Sequence, residues 1–362
     1  FHVYKDEDEE CNKTVDRVLP FLDKTAIGNE RTALLVPWNS DANAISSILD
    51  NKNIRHFKIS GTDVFSTIRI NDILSHLNVI FNEFNHISWS RILTYSFATD
   101  GFTDASSIVM ELRDAAMTPS DLMREDEGTY LMDFCNCFDN KEIVVFDTET
   151  TGVDFYNDDI VQIAAIKIRN GRKIPDSEFN IFLHTDKHIP EMLGDLVNPM
   201  IENYAKADKW PRTQGLIRFM NYIGDSILIG HNVKYDYNIL QNNLKRDCPG
   251  YYHAFIAKTF DTLKLSHLLY PRMRKYKLVY LLEKLNLQGQ NSHMADDDII
   301  ATYELAKHCR EVSRSIIPRQ LSLLQKENII NAKADLCAGY ADLYKHAIDS
   351  LYSVRRSTTP AL

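Results

Sequence analysis

Several common features are missing from the 362-residue sequence. It contains no apolar run long enough to cross a membrane and no signal peptide, so we expect no membrane partner. None of the six cysteines belongs to a C-x-x-C pair, and Cys135 and Cys137 are too isolated for a zinc site. This use of cysteine predicts reduced thiols and a cytoplasmic protein.

The chain also carries no net positive charge. The formal net charge at pH 7 is −9, and part of it comes from the acidic run Asp6–Glu10. This balance excludes a protein that binds polyanions through its overall charge, so a nucleic-acid partner would need local basic patches and metal ions. The length suggests two or more domains. Because the sequence begins with Phe1 rather than Met, we expect it to be a piece of a longer polypeptide.

Among the features that are present, the stretch FDTETTG at residues 146–152 is the most informative. It follows the apolar run Ile143–Phe146, which predicts a buried strand. Side chains at i and i+2 leave a strand from the same face, so Asp147 and Glu149 would point at one spot. A divalent cation such as Mg²⁺ or Mn²⁺ would relieve their repulsion. Two exposed carboxylates at a strand exit are the alternative for this motif taken alone.

Two later segments carry further acids. In ILIGHNVKYD, residues 227–236, an apolar strand ends at a glycine, and Asp236 follows in the first turn of a helix. By itself, Asp236 could be an acid that only stabilises a helix start. In HMADDDIIAT, residues 293–302, His293 precedes Asp298 by five residues at the start of an apolar-patterned helix. An acidic run alone is usually a solvated face.

The order of these segments resembles a known family. F-D-T-E-T-T-G, then G-H-N-x-x-Y-D, then H-x-A-x-x-D-x-x-A-T is similar to the three motifs of the DEDDh, or DnaQ-like, 3′–5′ exonucleases. The resemblance extends from about Glu142 to Cys309 and includes a second strand at Ile160–Ile168 and the segment Thr259–Leu263. One departure is Gln162, where many relatives carry Glu. It lies outside the four metal-binding positions of the family.

The resemblance implies a two-metal phosphodiesterase. Four carboxylates would hold two Mg²⁺ or Mn²⁺ ions: Asp147, Glu149, Asp236 and Asp298. His293 would be the general base for the attacking water, because a neutral imidazole can take a proton near neutral pH. A position beside a helix N-cap, without catalytic work, is the alternative for His293.

Substrate contacts are predicted from the same resemblance. Relatives grip the terminal nucleotide at the positions of Thr148, Thr150 and Thr151, while Asn232 would orient the second motif or touch the strand. The segment YPRMRKYK, residues 270–277, mixes four cations with two tyrosines. Its Arg272, Arg274 and Lys275 would form a surface for phosphates and stacked bases. An ordinary solvated basic loop is the alternative.

The first hundred residues suggest a second resemblance. Residues 32–40 indicate a strand and turn, and a helix, a strand at Ile54–Ile59 and a helix at about residues 71–84 follow. This succession resembles the C-terminal part of UvrD/Rep-like superfamily 1 DNA helicases. Pro37 and Trp38 stand where that family commonly has an arginine. No glycine precedes a lysine, so this chain cannot bind ATP through a G-x-x-x-x-G-K-[ST] loop.

Together these features predict an α/β protein. Residues 141–312 would form a ribonuclease-H-like exonuclease domain, with a mixed five-stranded sheet flanked by helices. The rest would be a helicase-derived α/β fragment at 1–101, a helical connector at 102–140, and a helical segment at 313–362 that packs on the N-terminal and connector region.

The expected activity is metal-dependent removal of nucleoside 5′-monophosphates from the 3′ end of single-stranded DNA. It would form part of a helicase–nuclease of DNA repair or replication, whose partners are DNA 3′ ends and the rest of the helicase polypeptide. An exonuclease that trims RNA is one alternative. A non-catalytic module of a helicase, which binds DNA or docks a partner, is another.

Overall fold

The structure, a computed structural model, describes seven segments of the chain: residues 2–22, 32–59, 67–94, 99–124, 128–193, 196–288 and 295–339. The chain divides into two compact units, Phe1–Leu77 and Asn78–Leu362. This division differs from the boundary after residue 101 that the sequence suggested, and it leaves the predicted connector and nuclease domain in one unit.

The regular secondary structure described in the first unit is helical. Helix α1 spans Glu7–Leu22, helix α2 spans Asn39–Asn51, and helix α3, Ile68–Phe81, crosses into the second unit. Val15 of α1 packs with Ile45 and Leu49 of α2.

The strands predicted for the first unit are wrong. Residues 32–59 are all described, and none of them belongs to a strand. Leu35, Phe57 and Ile59 are 95%, 83% and 93% exposed, whereas Leu34, Val36 and Ile54 are partly buried against the core of α1 and α2. An extended segment becomes a strand only where a neighbouring strand satisfies its backbone groups. The α/β helicase-like arrangement is therefore absent from the described part of this unit.

The second unit opens with four helices. They are α4 at His86–Leu93, α5 at Phe102–Asp114, α6 at Pro119–Leu122 and α7 at Tyr130–Asn140. Helix α7 begins where the Thr129 hydroxyl accepts a hydrogen bond from the backbone N–H of Met132. It leads directly into the first strand of the sheet.

Nine strands follow α7. They are β1 (Glu142–Thr150), β2 (Ile160–Arg169), β3 (Arg172–Lys173), β4 (Phe179–Leu183), β5 (Met192–Leu193), β6 (Leu196–Val197), β7 (Lys209–Trp210), β8 (Ile227–Gly230) and β9 (Thr259–Asp261). The main sheet has the order β7-β4-β2-β1-β8-β9, while β3 pairs with β2, and β5 and β6 form a separate pair. Strand β2 is antiparallel to β1 and β4, whereas β8 and β9 are parallel to β1. The predicted mixed sheet is confirmed, with short strands added to its five main ones.

The remaining helices are α8 (Met200–Lys206), α9 (Arg212–Ile223), α10 (Val233–Asp247), α11 (Pro249–Ala254), α12 (Thr262–Leu269), α13 (Leu278–Leu285), α14 (Ala295–Leu324) and α15 (Glu327–Gly339). None of the helices in the described segments is long and apolar enough to span a bilayer.

The two faces of the sheet bury two separate cores. On one face, Ile143 and Val145 of β1 pack with Ile299 and Leu305 of α14. On the other face, Val144 and Phe146 pack with residues of α9 and α10. This alternation along β1 is the period of two that a strand buried on both faces requires.

Helix α14 reaches beyond the sheet. It runs through residues 312 and 313 without a break, although the sequence suggested a domain boundary there. Near its end, the buried Gln320 donates hydrogen bonds from Nε2 to the carbonyls of Ala115 (2.8 Å) and Ala116 (3.0 Å). Leu323 of α14 and Leu336 of α15 share a core with α5. The predicted apolar positions beyond residue 339 lie outside the described segments.

Candidate active site

Strand β1 and helix α14 bring three carboxylates together. Asp147 and Glu149 continue the odd-numbered face of β1, the face that packs against α14. Asp298 lies in the first turn of α14 and is buried. One oxygen from each of the three carboxylates lies within 4.8 Å of the other two. The expected meeting of the first and third motifs therefore occurs.

The neighbouring strand leaves room beside these acids. Ala164 of β2 lies opposite Asp147, and Gln162 lies opposite Glu149. Gln162 is fully buried, and its Nε2 donates a hydrogen bond to Oδ1 of Asn180 at 2.9 Å. The glutamine that departs from the family pattern thus adds no charge to the cluster.

Asp236 lies on a helix that packs against the opposite face of the sheet. Its helix, α10, contributes Val233 and Ile239 to the core on the even-numbered face of β1. Oδ1 of Asp236 accepts hydrogen bonds from the backbone N–H of Thr148 at 3.0 Å and from the Thr148 hydroxyl at 2.6 Å. Thr148 stands between the two acids of β1. Asp236 is therefore fixed beside the three-carboxylate cluster through Thr148.

Three of the four acids have raised pKa values. Burial, followed by the neighbouring carboxylates, raises the pKa of Asp147 well above its usual value and the pKa of Glu149 to about 8. Burial raises the pKa of Asp236 to about 7, although the hydrogen bonds from Thr148 oppose the rise. Within the described segments, no lysine or arginine forms an ion pair with Asp147, Glu149 or Asp236.

This set of donors fits a hard divalent cation. Carboxylate oxygens are the ligands that Mg²⁺ and Mn²⁺ prefer, and three such oxygens converge here. The cluster could hold a cation through Asp147, Glu149 and Asp298, with Asp236 beside it. A cation would also cancel the repulsion that raises the pKa values of these acids.

The threonines after the acids secure the loop that follows β1. The Thr150 hydroxyl and the Tyr235 hydroxyl both donate to the carbonyl of Gly152, each at 2.7 Å. The Thr151 hydroxyl donates to Oδ1 of Asp158 at 2.9 Å. A Cβ atom on Gly152 would lie 2.6 Å from Oδ2 of Asp158, so a larger residue would have to displace this carboxylate. These contacts join the loop to α10, and a role of the threonines in gripping substrate stays a prediction.

The exposed Asn232 forms the turn between β8 and α10. It adopts a left-handed conformation with φ of 64°, which asparagine tolerates better than most residues. Its backbone N–H donates to Oδ1 of Asp261 at 2.9 Å. Asp261 also accepts from the backbone N–H of Leu263, at the start of α12. One carboxylate thus holds the ends of β8 and β9 together.

The basic loop is attached to the end of β8. His231 donates a hydrogen bond from Nε2 to the carbonyl of Tyr276 at 2.9 Å. Burial lowers the pKa of His231 to about 4, so this imidazole is neutral near pH 7. The three cations that the sequence proposed for substrate binding, Arg272, Arg274 and Lys275, lie on this loop and are exposed. Their contact with substrate stays a prediction.

His293 lies outside the described segments, which resume at Ala295. Its role as general base stays a prediction.

Sequence reasoning missed three positioning residues: His231, Tyr235 and Asp261. The first two stand inside G-H-N-x-x-Y-D, and the third inside the segment Thr259–Leu263. These residues were visible in the sequence, but their hydrogen-bond partners are 29 to 83 residues away in the chain. Spacing within a motif cannot reveal such partners.

Comparisons with known proteins found matches to part of this chain. The family model for Exonuclease, RNase_T, matches residues 144–306. The DNA polymerase III PolC-type of Clostridium perfringens is 34% identical over 174 residues, which cover 46% of this chain and 11% of the relative. That of Streptococcus mutans is 31% identical over 163 residues, covering 45% and 11%. Among solved structures, E. coli exonuclease I in complex with a dT13 oligonucleotide matches with a TM-score of 0.41 and 17% identity, over 52% of this chain and 45% of that one.

The family model and the PolC-type relatives therefore support an exonuclease domain of the DnaQ-like, 3′–5′ type at residues 144–306. The chain spans about a tenth of the length of the curated relatives it matches (11% for the Clostridium perfringens protein). These matches do not support the helicase resemblance of the first hundred residues.

Proposed function

We propose that this chain is a metal-dependent 3′–5′ exonuclease that hydrolyses the last phosphodiester bond of single-stranded DNA and releases nucleoside 5′-monophosphates. The observation that carries this proposal is the convergence of three carboxylates within 4.8 Å, from two elements that are far apart in the chain. Repelling acids of this kind are costly for a fold unless a cation joins them.

The site residues would have separate roles in this reaction. Asp147, Glu149, Asp298 and Asp236 would hold two Mg²⁺ or Mn²⁺ ions. Such ions, when bound, stabilise charge on the attacking and leaving oxygens of the phosphate. Thr148 holds the Asp236 carboxylate toward β1 through two hydrogen bonds. His293 would take the proton of the attacking water, because the acids are weak bases while they bind cations.

DNA is the proposed substrate because the curated relatives are DNA polymerases of the PolC type. RNA is the alternative within the same chemistry. Attachment to a helicase, and a role in DNA repair or replication, rest on the sequence resemblance alone.

A side-by-side digestion tests the proposal. A DNA strand and an RNA strand of the same sequence, both labelled at the 5′ end, are incubated with the protein and Mg²⁺ or Mn²⁺. We expect progressive shortening of the DNA from its 3′ end and none with EDTA. The Asp147→Ala variant, with its fold checked by circular dichroism, is the control for a contaminating nuclease. If both strands stay intact, the enzymatic proposal is wrong. If only RNA is shortened, the substrate assignment is wrong.

The general base has its own test. Replacing His293 with Ala should lower turnover about 100-fold or more, the usual range for a lost general base. Binding of Mn²⁺, followed by titration calorimetry, should stay close to that of the unmodified protein. An unchanged rate would remove His293 from this role.

A further inference from the structure

A cationic cavity lies at the far end of α12 from the acids. Its volume is about 540 Å³, and its lining includes Arg113 at the end of α5, Arg272 in the basic loop and Arg319 in α14. The one acidic residue in the lining is Asp114. Three arginines facing one aspartate give this cavity a local positive charge in a chain whose net charge is −9.

Within the described segments, Asp114 is the one acid that forms an ion pair with any of these arginines. Arg272 and Arg319 are exposed, and neither forms an ion pair within the described segments. Nη2 of Arg113 lies 3.5 Å from Oδ1 of Asp114, which is a long contact. Nε of Arg113 is buried, and no group of the described segments accepts a hydrogen bond from it. A buried guanidinium donor of this kind is satisfied well by a phosphate oxygen.

The cavity is connected to the candidate active site along one segment of the chain. Helix α12 starts directly after β9, at the sheet edge where the parallel strands β1 and β8 also end. Its eight residues cover ~12 Å before the chain reaches Tyr270 at the cavity. The basic loop then returns, and Tyr276 contacts His231 at the end of β8. Along the chain, Arg274 and Lys275 therefore lie between the cavity and the contact with β8.

The length of α12 corresponds to a short stretch of nucleic acid. A stacked strand advances about 3.4 Å per nucleotide, so ~12 Å corresponds to about four nucleotides. The ring of Tyr270 is stacked on His308, and its hydroxyl lies 2.6 Å from Nε2 of His308. Because this tyrosine is already engaged, contacts in the cavity would come from phosphates and not from stacked bases.

We propose that Arg113, Arg272 and Arg319 bind the sugar–phosphate backbone of the substrate strand a few nucleotides before its 3′ end. This inference rests on the proposed exonuclease function. The cavity would hold the strand without reading its sequence, because phosphate contacts carry no base information. It would also favour long strands over very short substrates.

The test uses two substrates of different length and a matched control. The double variant Arg272→Ala/Arg319→Ala removes the two exposed cations. Arg314→Ala removes an exposed arginine of α14 that does not line the cavity. We expect the double variant to lower kcat/KM about 10-fold on an oligo(dT) of about 12 nucleotides, mainly through KM. Hydrolysis of the p-nitrophenyl ester of thymidine 5′-monophosphate, which is too short to span from the acids to the cavity, should fall much less than hydrolysis of the oligo(dT).

Binding without catalysis separates this inference from the proposed function. Fluorescence anisotropy with the same oligo(dT) in EDTA gives the slope of log K against log salt. Two lost phosphate contacts should reduce this slope by about 1.4, since each contributes about 0.7 for a single strand. If kcat/KM and the salt slope match those of Arg314→Ala, the cavity does not bind the strand. The double variant could have the smaller salt slope while the unmodified protein does not cut DNA. In that case the cavity binds the strand and the exonuclease proposal is wrong.

Discussion

In the exonuclease domain, Asp159 and the two acids at the end of β1 have opposite electrostatic surroundings. Asp159, directly before β2, is 6% exposed and is met by Lys187 at 2.8 Å and Arg246 at 2.6 Å. Burial alone would raise its pKa, but hydrogen bonds and charges from these cations lower it below the usual value. Asp147 and Glu149, at the end of β1, have no such partner in the described segments, and their pKa values are raised.

This difference in cationic partners distinguishes a carboxylate that stabilises the fold from carboxylates that could bind a ligand. Asp159 also accepts from the Thr185 hydroxyl at 2.7 Å, so one carboxylate ties together segments before β2, after β4 and at the end of α10. Within the described segments, Asp147 and Glu149 join no other segment through side-chain hydrogen bonds. A bound cation could supply the charge that neutralises them. Three predictions test this contrast.

The largest effect should come from Asp298→Asn. It removes one charge from the cluster with almost no change in shape, so we expect exonuclease activity to fall more than about 100-fold. In EDTA, the free energy of unfolding should stay equal or increase, because a repelling carboxylate is gone. The measurements are digestion of 5′-labelled DNA and urea denaturation. A variant that keeps its activity would show that Asp298 is no metal ligand.

Replacing Asp159 with Asn should lower stability and leave activity nearly unchanged. We expect the free energy of unfolding to fall by about 1–3 kcal/mol, since its cations are only partly buried and water screens them. Activity per folded molecule, measured well below the unfolding temperature, should stay close to normal. Urea denaturation beside Asp298→Asn gives the comparison. Equal stability of both variants in EDTA would remove the contrast between the two acid groups.

The smallest effect should be a dependence of metal-free stability on pH. Unfolded carboxyl groups lose their protons near pH 4, whereas the pKa values of Asp236 and Glu149 in the folded protein are about 7 and about 8. Between these values the folded state holds more protons, so its stability should fall as pH rises from about 5 to 8. Thermal unfolding in EDTA should show a Tm lower by a few degrees at the higher pH.

Addition of Mn²⁺ should then raise Tm more at the higher pH, because the ionised acids bind it more strongly. Asp298→Asn provides the control and should weaken both trends. A Tm in EDTA that rises steadily over this range would contradict the raised pKa values.

Sequence patterns predicted the nuclease domain well for a physical reason. The alternation of β1 and β2 and the apolar faces of α10 and α14 are local signals, and each of these elements buries a face in one of two cores. The same reasoning failed at residues 32–40 and 54–59, where β-prone residues have no described strand beside them. A strand depends on its partner, and no local pattern supplies one.

By itself, the sequence determined that Asp147 and Glu149 share a face of one strand and that Asp298 lies in the first turn of a helix. Strand and helix periods are local properties of the backbone, so they can be read along the chain. Only the tertiary structure decided that α14 meets that face, that Asp236 binds Thr148 from the other side of the sheet, and that Asp159 is neutralised while the β1 acids are not. These outcomes depend on which distant segments pack together, and packing of that kind is set by the whole core.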